Sequence, residues 1–253
     1  MEIYEIIETV LVFIIVYILP LIIFIKLSRR KYISVIILFI ISIMYISLSI
    51  LTENLFPFIF TILNIILIKN NNIDDEKIQI YLKDSDNVVS SDYEKYKFSI
   101  KTFNFYKGLK YSLLSYFLFI IIMVLFQYIF LKFNIDLKQQ EIIEDTMKGT
   151  WAKFFITMPT IVIFAPIVEE FVFRWYLFEK IFKGRIGVIS SAIITSIMFS
   201  FIHFNINAFP VLLALSLINC YLINKKGYWY AVFNHLVFNS VTIITMIFQR
   251  IGS

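Results

Sequence analysis

Long apolar stretches separated by short polar segments run along the whole chain. A helix needs roughly 20 apolar residues, at ~1.5 Å per residue, to cross the hydrocarbon core of a bilayer. Eight stretches are predicted as helical spans, at residues 10–26, 34–51, 54–68, 111–131, 154–181, 187–204, 208–223 and 229–248. The third and the seventh are short, which indicates little tilt, re-entrance or shielding by neighbouring helices. The pattern predicts an all-α fold, a polytopic helical bundle integral to a membrane.

Two polar segments interrupt this pattern. Residues 69–110 mix asparagines, acids and lysines with spaced aromatics, which predicts a partly structured cytoplasmic loop. Residues 136–150 place apolar side chains among acids and amides, which suits a short helix lying at the membrane interface. The chain is therefore predicted to divide into N-terminal transmembrane helices (1–68), the polar loop (69–110) and a second transmembrane bundle (111–253).

The composition agrees with this pattern and excludes other classes of protein. Hydrophobic residues make up 60% of the chain and charged residues 16%, and the mean hydropathy is +0.83. These values exclude a soluble fold, a disulfide scaffold and a disordered chain. The single cysteine, Cys220, can form no internal disulfide. Acidic residues before the first span argue against a cleavable signal peptide. The heavy use of Ile, Phe, Asn and Lys is typical of an AT-rich bacterial genome.

The net charge of +5 is interpreted here as a signal of membrane topology. In a soluble protein it would suggest a nucleic-acid partner, which we do not expect here, because Lys and Arg next to membrane spans set their orientation. With the N-terminus outside, 17 of the 23 basic residues fall in inside segments and five in outside segments. We therefore expect a multi-pass protein of the cell (plasma) membrane, surrounded by the lipid bilayer, with both termini outside.

Ionisable residues inside a span are informative, because an unpaired charge there costs a few kcal/mol or more. The fifth span carries Glu169, Glu170 and Arg174 in otherwise apolar sequence. Glu170 and Arg174 are four residues apart on one helix face, so they can pair. Taken alone, such a pair is equally well explained as a brace for helix packing. Glu169 lies about 100° further around the helix and is the carboxylate left free for chemistry.

Both histidines of the chain, His203 and His235, lie in or at the end of predicted spans. Asn239 follows His235 by one turn, so an imidazole and a carboxamide project from one helix face. Either histidine alone is better explained as a packing residue. Together with the two glutamates and the arginine, in three apolar helices, they indicate a functional site.

The depths of these residues in the membrane test whether they can meet. Helices five and six form a hairpin, and Glu169 and His203 are equidistant from residue 186, so they lie level. His235 stands only about 9 Å above the start of helix eight, whereas His203 stands about 24 Å above the start of helix six. If both helices were straight and began at the same depth, His235 and His203 would lie roughly 15 Å apart along the membrane normal. A shared site therefore requires helix eight to begin deeper, with His235 within about 10 Å of Glu169.

Three motifs in this order resemble those of the CPBP family of intramembrane proteases. The family is named for CAAX proteases and bacteriocin processing, is also called the Abi family, and includes type II CAAX prenyl endopeptidases. The resemblance covers about residues 154–239. Its motifs are Glu-Glu-x-x-x-Arg, Phe-x-x-x-His and His-x-x-x-Asn, at Glu169, Glu170 and Arg174, at Phe199 and His203, and at His235 and Asn239. Members commonly have a small residue where this chain has Trp175, so the indole is expected to narrow or reshape the site.

The resemblance implies an intramembrane endopeptidase of membrane-associated or leader-bearing peptides. Its expected substrates are bacteriocin or pheromone precursors, prenylated or lipidated C-terminal tails, or membrane-anchored proteins. Amide hydrolysis needs an activated water and stabilisation of the tetrahedral oxyanion. In this interpretation Glu169 is the general base and His203 holds and polarises the water. His235 and Asn239 stabilise the oxyanion. Glu170 with Arg174 braces the helix and limits the charge on Glu169.

The same residues permit a zinc-dependent mechanism. Glu169, His203 and His235 would be three ligands with an open fourth position for an activated water. Glu170 would then have to be the base, although it is expected to be tied to Arg174. We therefore favour a water activated by glutamate without an obligatory metal, with zinc as the alternative.

Two other functions compete with proteolysis at this point. The first is a catalytically silent immunity or regulatory protein that acts by binding a membrane partner. The second is a transporter that uses the buried charges as an ion path. It ranks last, because no pair of interrupted segments indicates inverted repeats.

Overall fold

The computed structural model describes residues 9–29, 33–52, 54–70, 98–134 and 149–252. These residues form eight helices and one short 3₁₀ turn (Ile100–Thr102), and they contain no strand. Each predicted span corresponds to one helix, so the prediction of an all-α polytopic bundle is confirmed. The helices are α1 (Thr9–Arg29), α2 (Val35–Thr52), α3 (Leu55–Asn70), α4 (Phe105–Lys132), α5 (Trp151–Ile186), α6 (Val188–Phe201), α7 (Phe209–Lys225) and α8 (Tyr228–Gly252).

The helices differ in length in a way that matters for the site. Helices α1, α2, α4, α5 and α8 are long and apolar enough to cross a membrane, whereas α3, α6 and α7 are shorter. The sequence predicted short third and seventh spans, but α6 is also short and ends at Phe201, not at residue 204. The chain turns there, because Phe204 adopts a left-handed backbone (φ 44°) and Asn205 Oδ1 accepts the N–H groups of Asn207 and Ala208.

Both predicted polar segments fall largely outside the described residues. Of the predicted loop at 69–110, residues 71–97 are not described. The part that is described shows α4 beginning at Phe105, capped by Asn104, whose side chain accepts the N–H of Lys107. Of the predicted interfacial helix at 136–150, only Gly149 and Thr150 are described. Thr150 caps α5 in the same way.

Helix α5 carries the paired glutamates and has an irregular backbone. Two of its segments, Thr160–Phe164 and Glu170–Phe182, are π-helical, with a regular α-helical stretch, Ala165–Glu169, between them. Wider π turns are rare and frequently occur at functional sites. The change of backbone falls between the two adjacent glutamates, the last residue of the α-helical stretch and the first of the longer π segment.

Helix α7 lies at the centre of the half of the bundle that holds the site, packed against α4, α5, α6 and α8. Small hydroxyl residues of α6, including Ser191, Thr195 and Ser200, are buried and donate their hydroxyls to the carbonyls of their own helix. Such residues let helices approach closely in a membrane. Helix α3 packs against α5 and connects this half to α1 and α2. The site is thereby surrounded by helices that are far apart in sequence.

Candidate active site

The two adjacent glutamates occupy different environments. The side chain of Glu170 is fully buried, whereas that of Glu169 is 15% exposed and lines a cavity. Successive residues of a helix point about 100° apart, so neighbours in sequence do not share a side of the helix. The structure accordingly provides one carboxylate inside the protein and one at the cavity surface.

Glu170 forms one ion pair and accepts two hydrogen bonds, with partners on three helices. Arg174 Nε lies 3.0 Å from Oε2, which is the ion pair expected from their spacing. His235 Nδ1 and Asn219 Nδ2 lie 2.8 Å and 2.9 Å from Oε1. A buried charge is tolerated when it is paired and its remaining lone pairs accept hydrogen bonds. Glu170 therefore ties α5, α7 and α8 together at one point.

Sequence reasoning missed the two asparagines of this network. Asn219 on α7 accepts a hydrogen bond from Asn234 Nδ2 at 2.7 Å and itself donates to Glu170. Both amides are almost fully buried. An available signal was an amide within an otherwise apolar helix, because a buried amide needs a partner. That signal does not identify the partner, which lies 49 residues from Asn219 in sequence.

Phe199 connects the arginine to the first histidine. The guanidinium carbon of Arg174 lies 4.0 Å from the centroid of the Phe199 ring, a cation–π contact in a desolvated position. The Phe199 carbonyl lies 2.8 Å from His203 Nδ1. The phenylalanine of the second motif thus covers the arginine with its ring and holds the histidine with its backbone.

The hydrogen bonds of both histidines fix which nitrogen faces outward. A carbonyl only accepts, so His203 Nδ1 carries a proton and donates it to Phe199. His235 Nδ1 donates to the carboxylate of Glu170 in the same way. In each neutral ring the Nε2 atom is then an acceptor. The two histidines therefore present the same nitrogen for interaction with a substrate or water.

His235 and Glu169 meet at the cavity. His235 Nε2 lies 3.7 Å from Glu169 Oε2, well within the 10 Å that a shared site required. This distance is too long for a good direct hydrogen bond, and one water can contact both atoms. Tyr228, the first residue of α8, donates its hydroxyl to the Ile167 carbonyl at 2.6 Å. Because Ile167 lies within one turn of the glutamates, α8 begins close to their depth. The 15 Å mismatch of straight, equal helices does not arise.

Asn239 has a second partner that the sequence did not predict. Its Nδ2 atom donates to the Ile161 carbonyl at 2.8 Å, in the first π-helical segment of α5. One of its two amide hydrogens is thereby used, and the other is the donor left for chemistry. Asn239 still lines the cavity, one turn from His235.

A cavity of about 520 Å³ brings together the predicted site residues that are accessible, Glu169, His203, His235 and Asn239. Glu170 and Arg174 lie behind this surface and do not line it. Trp175 does not line it either, so the expectation that the indole narrows the site is wrong. It points to the other side of α5, where its ring stacks on Phe171 at a centroid distance of 4.6 Å.

The donor set does not match a metal centre. In the part of the chain that the structure describes, no three His, Cys, Asp or Glu side chains are arranged to hold a metal ion. His235 and Glu169 approach each other, but His203 does not complete a set of three ligands with them. We therefore derive no catalytic step through zinc.

Comparison with protein families gave one match in the half of the chain that holds the site. Residues 151–241 match the family model described as type II CAAX prenyl endopeptidase Rce1-like. This range contains all three motifs and confirms the family resemblance drawn from them. Comparison with curated proteins and with solved structures gave no match.

Proposed function

We propose that the chain is an intramembrane endopeptidase that hydrolyses membrane-associated or leader-bearing peptides, because residues 151–241 match the family model of Rce1-like type II CAAX prenyl endopeptidases. One observation carries the proposal. A cavity-facing carboxylate, Glu169, lies 3.7 Å from the outward nitrogen of His235, whose other nitrogen is held by a buried carboxylate. A base and an oriented imidazole at one cavity are what amide hydrolysis needs.

Glu169 is the general base in this mechanism. It is the site carboxylate that reaches the cavity, whereas Glu170 is occupied by its ion pair. A water held between Glu169 and His203 Nε2 would donate one hydrogen to each acceptor, which leaves its oxygen lone pairs free. Glu169 takes one proton as the oxygen attacks the peptide carbonyl carbon. It then returns that proton to the leaving amine as the C–N bond breaks.

His235 and Asn239 stabilise the oxyanion. Asn239 donates through its second amide hydrogen, since the first is bonded to the Ile161 carbonyl. His235 can donate through Nε2 only as an imidazolium, because Nδ1 already donates to Glu170. The Glu170 carboxylate, 2.8 Å from Nδ1, stabilises that positive charge while Glu169 holds the proton taken from the water. The buried Glu170 and Arg174 act through His235 and are positioning residues.

The experiment compares wild-type protein with Glu169→Gln, which keeps the size of the side chain and removes the base. Cells that carry each form are profiled for small peptides, and peptides that accumulate only with the variant are made as internally quenched substrates. We expect the variant to cleave them about 10²- to 10⁴-fold more slowly, with unchanged protein level. Glu179→Gln is the matched control, because Glu179 lies on the same helix, pairs with Lys183 and does not line the cavity. A variant that cleaves as fast as wild-type protein would disprove the assignment.

A further inference from the structure

Pro166 lies in α5 where the first π-helical segment changes to the regular α-helical stretch, within one turn of Glu169. The proline ring removes the backbone N–H of this residue, so that one hydrogen bond of the helix cannot form. Pro166 is buried and does not line the cavity. An effect of Pro166 on the chemistry must therefore pass through a neighbouring group.

The backbone around Pro166 frees the carbonyl of Ile161. In a regular α-helix this carbonyl would accept the N–H of residue 165, and in a π-helix it would accept that of residue 166. The Ala165 N–H donates to the Thr160 carbonyl instead, and residue 166 is the proline. The Ile161 carbonyl is therefore available to a donor from another helix.

Asn239 of α8 supplies that donor. Its Nδ2 atom lies 2.8 Å from the Ile161 carbonyl oxygen. A carbonyl can only accept, so it repels the opposite orientation of the amide, in which Oδ1 would face it. Both residues line the cavity. The contact thereby fixes the orientation of the amide and leaves its second N–H for the cavity.

We propose that Pro166 is a positioning residue for Asn239: the N–H that it lacks keeps the Ile161 carbonyl available, and the resulting bond presents the amide as an oxyanion donor. The inference rests on the proposed endopeptidase function, in which Asn239 donates to the oxyanion. In Pro166→Ala the carbonyl gains a backbone donor in either register, from residue 166 in a π turn or from residue 165 in an α turn. The amide then shares its acceptor, and an orientation with Oδ1 toward the cavity becomes accessible.

The first test is a double-mutant cycle on kcat, with the full-length protein in detergent and the internally quenched peptides obtained from the cell profiles. We expect Pro166→Ala to lower kcat about 3- to 10-fold, the effect of one hydrogen bond, and to leave KM unchanged. In the Asn239→Ala background, which removes the donor itself, the same substitution should change kcat less than about twofold. An unchanged kcat in Pro166→Ala, or equal losses in both backgrounds, would overturn the inference.

Pro159→Ala is the matched control for the removal of a proline. Pro159 also lies inside α5 and outside the cavity lining. We expect this variant to cleave with the kcat of wild-type protein. A loss as large as that of Pro166→Ala would show that either proline acts on the helix as a whole, which contradicts a specific role of Pro166.

A second test separates the missing N–H from the shape of the proline ring. Lactic acid, the hydroxy analogue of alanine, is incorporated at residue 166 by nonsense suppression. It has the side chain of alanine and an ester oxygen in place of the N–H. We expect this variant to recover most of the kcat that Pro166→Ala loses. A lactic acid variant as slow as Pro166→Ala would show that the ring acts through its shape and would refute the inference.

A third variant covers the case in which Pro166→Ala does not fold, as judged from its thermal midpoint. The hydroxy analogue of valine at residue 162 keeps Pro166 and every side chain. It turns the Ile161 carbonyl into an ester carbonyl, which is a poorer acceptor. We expect it to lower kcat in protein that has Asn239 and to have little effect in the Asn239→Ala background. The absence of this difference would overturn the inference.

Failure of wild-type protein to cleave any peptide would contradict the proposed function, and NMR then decides this inference independently. The protein is labelled with isotopically enriched asparagine, and the side-chain signals of Asn239 and Asn219 are assigned from Asn239→Asp and Asn219→Leu. We expect Pro166→Ala to shift the Nδ2 proton signals of Asn239 and to speed their exchange with water. The signals of Asn219, which donates to Glu170, should stay in place. Asn239 signals that do not change would show that Pro166 has no influence on this amide.

Discussion

His235 Nδ1 lies 2.8 Å from Oε1 of Glu170, so the imidazole at the cavity is oriented by the glutamate that the cavity does not reach. The neighbouring glutamate faces the cavity from the same helix. Two identical side chains, adjacent in sequence, thereby take two positions: Glu170 holds a histidine and Glu169 faces the cavity. The two glutamates differ because successive residues of a helix point about 100° apart, so that Glu170 is buried and Glu169 faces the cavity.

Removal of the His203 side chain should affect activity and hardly affect folding. His203 lies in the turn after α6, and among the described residues its side chain makes one hydrogen bond, to the Phe199 carbonyl. We expect His203→Ala to abolish peptide cleavage while the thermal midpoint in detergent changes by a few degrees at most. Parallel cleavage and thermal-unfolding assays on the purified variant check this. A midpoint lowered by ten degrees or more would show that the histidine is mainly structural.

Removal of the Arg174 side chain should damage both activity and folding. Arg174→Ala leaves the carboxylate of Glu170 without its ion pair in a fully buried position. Breaking such a buried pair costs about 3–5 kcal/mol, so we expect low protein levels and a strongly lowered thermal midpoint. Lys183→Ala is the control, because it breaks a more exposed pair on the same helix, that with Glu179. Equal stability of Arg174→Ala and His203→Ala would contradict the prediction that Arg174 is needed for folding and His203 is not.

Asn219 is predicted to position Glu170 and, through it, His235. In Asn219→Leu the carboxylate loses one donor and the amide of Asn234 loses its acceptor, which together cost about 1–3 kcal/mol. We expect a lower thermal midpoint and a lower kcat with little change in KM, because substrate contacts are unchanged. A double-mutant cycle with Asn234→Leu measures the coupling. Additive losses would show that the two amides are not linked energetically.

Chelation should not inactivate the protein. The described site residues do not gather three metal ligands, and the proposed mechanism uses a carboxylate, two imidazoles and an amide. We expect cleavage rates of the purified protein to survive o-phenanthroline and EDTA, and added zinc to give no increase. Loss of activity that zinc restores would establish the metal-dependent alternative and change the role of Glu169 to that of a ligand.

The cavity should open on the extracytoplasmic side. Its lining reaches Gln249 near the end of α8 and Asn54 at the start of α3, whereas most basic residues lie at the opposite helix ends. The native Cys220 is 1% exposed, so an introduced cysteine can be labelled selectively. We expect a membrane-impermeant maleimide to label Gln249→Cys in intact cells and Arg185→Cys only after lysis. The reverse pattern would place the cavity on the cytoplasmic side.

Hydropathy predicted the helices, because each span must satisfy its own backbone within the bilayer and is therefore readable from local sequence. The end of α6 was missed because it depends on one left-handed residue, Phe204, and on the side chain of Asn205. Neither feature interrupts the apolar run around residue 201. Residues 71–97 of the predicted polar loop and residues 136–148 of the predicted interfacial helix lie outside the described residues.

The site was predictable where its chemistry is local or stands out from its surroundings. The pair of Glu170 and Arg174 follows from helix spacing, and His235 is conspicuous as an imidazole in an apolar span. The link from Asn219 to Glu170 is tertiary and was not predictable, since many asparagines occur in this chain. The bond from Asn239 to Ile161 is likewise a contact between two helices. The π-helical backbone of α5 was also missed, because the apolar pattern of the sequence does not distinguish a π-helix from an α-helix.

The shortness of the α6–α7 hairpin has a consequence for how a substrate is presented. The fourteen residues of its first helix rise about 21 Å, less than the roughly 30 Å of a hydrocarbon core, so a helix that starts at one membrane surface brings the polar turn to a point within the bilayer. In the proposed function, water that follows the cavity to this turn would reach Glu169 below the lipid surface. A peptide anchored in the membrane then needs to unwind only the few residues beside the turn and need not leave the bilayer. Local helix stability of the substrate, rather than extraction of its anchor, would set the energetic cost of cleavage.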